Sequence, residues 1–228
     1  MKYSRKNPSS KYIELIKEYK LMHKKGYTQT NKLQKKPEDC YDGKSTIWFV
    51  EIIKNIIKSN KCKNLLDYGA GKGNFYEKNF LLNNKNYPGF KKYWNLKEYF
   101  LYDPSYKKNS ILPKKNFDCS ICIDVLEHIP SQDLSWVIKE ILRFTNKIVF
   151  FNIACFSAFA VLHNGENAHI TIKDPRWWHG FFSSIMQDYP EKKLVCYCTL
   201  KDKDGKRKYY AFSINDNFKK YDNINFIN

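Results

Sequence analysis

Leu65-Leu66-Asp67-Tyr68-Gly69-Ala70-Gly71-Lys72-Gly73 is the stretch on which the reading of this chain turns. A short apolar run ends in an acid, and three glycines then alternate with other residues. The segment that follows, from residue 73 to about residue 82, is read as a helix. Glycine tolerates positive φ and lets the backbone approach a bound group closely. A helix start would add free N–H groups. A dinucleotide fingerprint has the spacing G-x-G-x-x-G. Here the spacing is G-x-G-x-G, with an acid two residues before the first glycine. A carboxylate in that place repels a pyrophosphate and suits a ligand carrying a cationic amine.

Working outward, residues 98–103 and 117–124 read as further strands. Ser131 opens a helix to about residue 144, and residues 147–153 are another strand. Asp174-Pro175 places an N-cap before a proline at the first helical position, predicting a helix through residue 186. Residues 194–200 and 209–214 form a hairpin whose turn contains Asp204-Gly205. Residues 83–96 are an aromatic, lysine-rich insertion without clear periodicity. On the N-terminal side, residues 11–25 carry Ile13, Ile16 and Tyr19 at helical spacing, residues 27–46 read as loop, and residues 46–59 as a second helix. Strands alternating with helices imply a mainly parallel sheet. The expected fold is α/β, a Rossmann-like three-layer sandwich, with residues 1–60 as a helical extension and 61–228 as the ligand-binding domain.

Composition bounds the alternatives. The 228 residues are 43% hydrophobic, enough for one α/β domain with a core. No uncharged apolar stretch reaches about 18 residues, the length a membrane span needs. The basic start MKYSRKNPSS is followed by no apolar run, so neither a secretory signal nor a membrane partner is expected. The seven cysteines are scattered. Cys119 and Cys122, three apart in a strand, face opposite sides, and neither they nor Cys196-x-Cys198 have a second pair at zinc-finger spacing. Reduced thiols and a cytoplasmic protein are expected. The net charge is +17, and residues 1–64 hold sixteen of the Lys and Arg against six Asp and Glu. A basic N-terminal third suits a nucleic-acid partner. A chain this rich in Lys, Asn, Ile, Tyr and Phe also acquires such a charge from composition alone.

The acids then suggest a ligand. S-adenosylmethionine (SAM) carries an ammonium beside a sulfonium, and Asp67 suits it, through water. Asp103, in Tyr102-Asp103-Pro104-Ser105, ends the second strand, where a carboxylate accepts ribose hydroxyls. It lies 36 residues after Asp67, and the insertion accounts for the wide spacing. Asp124 and His128 follow the third strand and would line the adenine and substrate side. Glu127 stands beside them.

Asp67 to Gly73, Asp103 and Asp124-Val125-Leu126-Glu127-His128-Ile129-Pro130 together resemble the class I SAM-dependent methyltransferases. The resemblance implies SAM as cofactor, and a mostly parallel seven-stranded sheet ending in an antiparallel hairpin. It implies cofactor contacts at Asp67, Tyr68, Gly69, Ala70, Gly71, Gly73, Asp103, Pro104, Asp124 and Val125. Met22-His23-x-x-Gly26, Gly43-Lys44-Ser45, Asn167-Ala168-His169 and Trp177-Trp178 resemble a branch found in bacteria and phages. That likeness implies N-terminal helices lidding the cofactor, with Lys44 and Ser45 touching it. His128, His169 and Glu127 are the candidate catalytic residues, a histidine near neutral pH being a suitable base. Two departures stand out. The segment after Asp103 offers only Ile111-Leu112-Pro113 before Phe117, and the Asn/Asp-Pro-Pro-Tyr motif of amino-DNA methyltransferases is missing. Asp124-x-x-Glu127-His128 with a later His163 or His169 resembles the metal site of small-RNA 2′-O-methyltransferases. The same Glu-His pair follows this strand in methyltransferases without metals, so no metal ligand is assigned. Core packing is expected of Trp177 and Trp178, with a substrate wall as the alternative. The methyl acceptor, small molecule or nucleic acid, is not named by these residues. SAM cleavage and a noncatalytic nucleic-acid-binding module are the alternatives.

Overall fold

A computed structural model describes residues 2–217; the end of the expected ligand-binding domain, residues 218–228, lies outside the described residues. Helix α1 (Ser10–Lys25) leads to the short strands β1 (Tyr27–Gln29) and β2 (Gln34–Lys35), a 3-10 segment Lys44–Phe49 and helix α2 (Val50–Ser59). Strand β3 (Asn64–Tyr68) precedes the glycines, β4 (Phe80–Leu82) and β5 (Lys85–Tyr87) form a hairpin, and α3 (Phe90–Tyr93) is a single turn. Then come β6 (Glu98–Tyr102), β7 (Phe117–Ile123), α4 (Leu134–Arg143), β8 (Thr145–Ala154), β9 (Ala160–Val161), α5 (Pro175–Met186), β10 (Lys193–Lys201) and β11 (Arg207–Ile214). The main sheet has six strands in the order β11-β10-β8-β7-β3-β6. All neighbours run parallel except β10 and β11, the antiparallel pair at one edge.

The strands alternate between two cores, as the two-residue period of a strand requires. Leu66, Cys122, Val149, Phe151 and Cys196 face α4, α5 and Tyr12 of α1. Leu65, Cys119, Ile121, Ile148, Phe150 and Val195 face α2 and the aromatic insertion. A parallel sheet covered on both faces reads as near-continuous apolar runs, which is how Ser120-Ile121-Cys122-Ile123 and Ile148-Val149-Phe150-Phe151 read. Cys119 and Cys122 do face opposite sides, and all seven cysteines are free thiols. Among the described residues no helix is long and apolar enough to cross a membrane.

Three expectations need correction. Among the described residues the sheet has six strands rather than seven, and residues 104–116 supply none. Between Pro104 and Pro113 this stretch is mostly Lys, Asn and Ser and forms turns around a 3-10 segment, Lys107–Asn109. No helix follows Gly73. A 3-10 turn, Asn74–Tyr76, gives way to β4, and Asn83 and Asn84 turn the chain with φ of 49° and 60°. Leu82 pairs with Lys85 across them, so this is a two-residue hairpin loop, for which asparagine is suited. Phe80, Phe90 and Trp94 then pack over the face that a helix would have covered. On α1 the buried residues are Tyr12, Leu15, Tyr19 and Met22, while Ile13 is exposed. Tyr19 is buried as its spacing predicts and Ile16 is partly buried against the core, but Tyr12, Leu15 and Met22 supply the rest of the stripe in place of Ile13.

Helix α1 is bound tightly to the body. Ser9 caps it, accepting from the Tyr12 amide at 3.1 Å. The Ser9 amide and hydroxyl both donate to Asp133, whose carboxylate also accepts from Trp136 Nε1 at 2.8 Å. Arg5 pairs with Glu140 on α4 and donates to the Tyr68 hydroxyl at 2.8 Å. That hydroxyl donates on to Glu140 at 2.7 Å.

Candidate functional site

Chain order reverses beside β3: the next strand of the main sheet, β6, lies on one side of it, and β7 on the other. In open α/β sheets the crevice at the carboxyl ends of such strands is where ligands bind. Asp67 lies at the end of β3, Asp103 directly after β6, and Asp124 directly after β7. Helix α1 crosses this end and contributes Tyr12, Leu15, Ile16 and Tyr19 to a narrow pocket of about 80 Å³. Tyr68, Gly69, Asp103, Pro104, Asp124, Val125 and His128 form its other walls. A second, polar cavity of about 460 Å³ is lined by Lys44, Ser45, Trp48, Asp124, His128, Asn152, His169, Thr199 and Arg207 among others. Tyr41, Asp124 and His128 line both. Pockets for small ligands run to about 300–1,000 Å³. The polar cavity reaches that range, and the narrow one does so only if Tyr41 or α1 shifts.

The glycine loop departs from expectation. Gly69 and Ala70 donate to the Tyr102 carbonyl, Gly71 to Asp103 Oδ2, Lys72 to the Tyr41 carbonyl, Gly73 to the Ala70 carbonyl and Asn74 to the Asp42 carbonyl, at 2.7–3.1 Å. No amide from Gly69 to Asn74 is left free, in contrast to the exposed helix start that the sequence predicts. Close packing explains two of the glycines. A Cβ on Gly71, where φ is 54°, would lie 2.2 Å from the Tyr41 carbonyl oxygen. One on Gly69, where φ is 87°, would lie 2.3 Å from Val125 Cγ2.

Asp103 accepts from the Gly71 amide at 2.9 Å, the Ser105 amide at 2.8 Å and the Ser105 hydroxyl at 2.6 Å. It staples the glycine loop to the turn after β6, and with about four acceptor positions on a carboxylate it keeps one for a ligand. Asp67 lines neither cavity. It is 5% exposed behind the loop, and its Oδ2 accepts from the Tyr76 hydroxyl at 3.0 Å. Burial pushes its carboxyl up to about 7, with the charge of Asp103 adding to this and the Tyr76 bond opposing it.

Asp124 has φ 53°, a left-handed conformation unusual outside glycine, held by its amide bonding to the Asn152 carbonyl at 3.1 Å. Burial pushes its carboxyl up, with the neighbouring Ser45 side chain opposing this. Lys44 is exposed at the mouth of the cavity. Ala70, Gly71, Gly73 and Glu127 form no part of either cavity wall. Glu127 is fully buried, with Oε1 accepting from the Ala154 amide at 2.7 Å. Burial, with the Asp124 charge beside it, pushes its carboxyl well above the carboxylate range. Burial likewise pushes His128 down to about 3 and lowers His169. The rings of His128 and His169 meet edge to face at 4.7 Å. His163 instead lies at the surface, its ring 3.7 Å from Glu18. Trp178 is fully buried as expected, whereas Trp177 is 38% exposed and stacks on Phe181.

Sequence reasoning missed Tyr12, Tyr19 and Tyr41 as walls of the site. Their one signal is the seven-residue spacing of Tyr12 and Tyr19, which puts both on one helix face. It also missed Asn152, Thr199 and Arg207, which strand pairing brings to the cavity from β8, β10 and β11. No protein-family model, no curated protein and no solved structure matches the chain.

Proposed function

We propose that this chain is a SAM-dependent methyltransferase of Rossmann-like architecture. The observation that carries this reading is the placing of Asp67, Asp103 and Asp124 at the carboxyl ends of three adjacent strands where strand order reverses, with Asp103 and Asp124 lining one crevice and Asp67 behind its glycine loop. In this reading Asp103 holds the ribose hydroxyls. Asp67, costly to keep ionised where it is, meets the cationic methionyl end through the loop. Asp124 and Val125 border the adenine. Helix α1 and Tyr41 form the lid, and binding opens the narrow pocket toward the polar cavity. The acceptor enters that cavity, whose mouth bears Trp48 beneath Arg207 at 4.6 Å, with Lys201 over Phe159 at 4.1 Å. Such a mouth suits a flat or anionic acceptor, a nucleic acid included. His128 and His169 stand at its inner end, facing the acceptor, and catalysis rests mainly on positioning and exclusion of water.

The test is calorimetric titration with SAM, followed by mass spectrometry of candidate acceptors. Wild type is expected to bind one SAM, and Asp103→Asn to bind about 10–100-fold more weakly, as loss of charge-assisted hydrogen bonds predicts. No heat with SAM, or an unchanged affinity in a folded Asp103→Asn variant, would remove the reading. Release of methylthioadenosine in place of S-adenosylhomocysteine would replace transfer by cleavage.

A further inference from the structure

We propose that Glu127, His128 and His169 form a binding site for one divalent transition-metal ion. One donor atom from each lies within 4.8 Å of the other two. An ion with bonds of about 2.1 Å would draw the set together by about an ångström, within reach of side-chain rotation.

The hydrogen bonds around the cluster carry the argument. His128 Nδ1 lies 2.9 Å from the Ala168 carbonyl oxygen, and His169 Nδ1 lies 2.6 Å from that of Phe156. A carbonyl only accepts, so each ring holds its proton on Nδ1 and leaves the Nε2 lone pair bare. The Tyr19 hydroxyl, 2.9 Å from His128 Nδ1, donates to the same Ala168 carbonyl at 2.9 Å, which agrees with that tautomer. Pinning one ring nitrogen to a carbonyl while the other stays free is the support that metal-ligating histidines receive. Glu127 completes the set. Its Oε1 takes the Ala154 amide, but its Oε2 is enclosed and has no hydrogen-bond partner. Among the described residues no Lys or Arg pairs with it. An enclosed carboxyl oxygen without a partner is costly to bury; in its ionised form the group would be balanced by a dication and not by two neutral imidazoles.

The cluster is also preorganised. The Ile170 and Thr171 amides both donate to the Glu127 carbonyl, at 3.0 and 2.9 Å, fastening the segment that carries His169 to the turn that carries Glu127 and His128. Two nitrogens and one oxygen favour zinc, manganese or iron(II) over magnesium or calcium, which prefer oxygen alone. His128 and His169 both line the polar cavity, so the open coordination positions face it. The site stands without the methyl-transfer reading. If that reading holds, the ion lies where the acceptor enters and lowers the pKa of a bound hydroxyl.

The test uses the full chain, stripped with chelator, and titrated calorimetrically with zinc and with manganese chloride. Cobalt(II) substitution is followed by its visible absorption. One ion per chain is expected, with cobalt bands typical of mixed nitrogen and oxygen ligands. Glu127→Gln and His169→Gln should each weaken binding at least tenfold, while His163→Ala, at the surface, leaves it unchanged. Circular dichroism checks that each variant folds; if Glu127→Gln does not, His169→Gln with the cobalt spectrum decides. Absence of saturable binding to wild type would overturn the proposal. So would folded Glu127 and His169 variants that bind like wild type.

Discussion

Replacing Asp67 by Asn should stabilise the protein at alkaline pH while weakening its function. The wild-type carboxyl is buried, with one hydroxyl for a partner, and is pushed up to about 7 from an ordinary value of 3.8. The folded state therefore holds a proton that the unfolded chain has released. Between about pH 4 and pH 7 the folded state binds more protons, so stability falls as pH rises and levels off above about 7. At 1.36 kcal/mol per pH unit, the loss at pH 8 comes to about 4 kcal/mol. Little screening reduces it, since the side chain is 5% exposed. Asparagine keeps the shape and can still accept from Tyr76, but it never ionises. Urea unfolding of wild type and Asp67→Asn at pH 5, 6, 7 and 8 measures the difference, and groups common to both cancel. The variant should gain on wild type steadily up to pH 7 and lead by several kcal/mol at pH 8. Under the proposed function it should also bind SAM more weakly. A stability difference that does not vary from pH 5 to 8, or a variant less stable than wild type at pH 8, would refute the reasoning.

Two further substitutions test the packing that builds the site. Gly71→Ala forces a Cβ to 2.2 Å from the Tyr41 carbonyl at positive φ, and should cost about 1–3 kcal/mol in urea unfolding while loosening the Tyr41 segment in hydrogen exchange. Trp178→Ala should cost about 3–5 kcal/mol, as large core truncations do. Trp177→Ala, at an exposed position, should stay within about 1 kcal/mol, and equal losses at the two would contradict the burial described.

How much was legible follows from the range over which each signal acts. The strand ending in Asp67, the strands before Asp103 and Asp124, and the Asp174-Pro175 helix start are local patterns, and the structure has them. The hairpin at Asn83-Asn84 was also a local signal, but asparagine-asparagine announces a tight turn less plainly than asparagine-glycine. The apolar stripe of α1 was partly misplaced because tyrosines carry half of it, and a tyrosine is apolar or polar according to where its hydroxyl ends. The hydroxyl of buried Tyr19 donates to the Ala168 carbonyl, 149 residues away.

By itself the sequence determined the α/β class, the near-continuous apolar strands, the acid-and-glycine loop after β3 and the positions of Asp103 and Asp124, since each depends on neighbours along the chain. Tertiary structure alone decided three things. The amides of the glycine loop are taken up, because Tyr102 and Asp103 meet it from the strand beside it and Tyr41 and Asp42 fold back onto Lys72 and Asn74. Asp103 became the staple of that loop, because β6 pairs beside β3. His169 rather than His163 joined Glu127 and His128, because the Ile170 and Thr171 amides found the Glu127 carbonyl. Each rests on a hydrogen bond to a main-chain group far along the chain, and because nearly every residue carries such groups the sequence pattern does not announce which of them will be met.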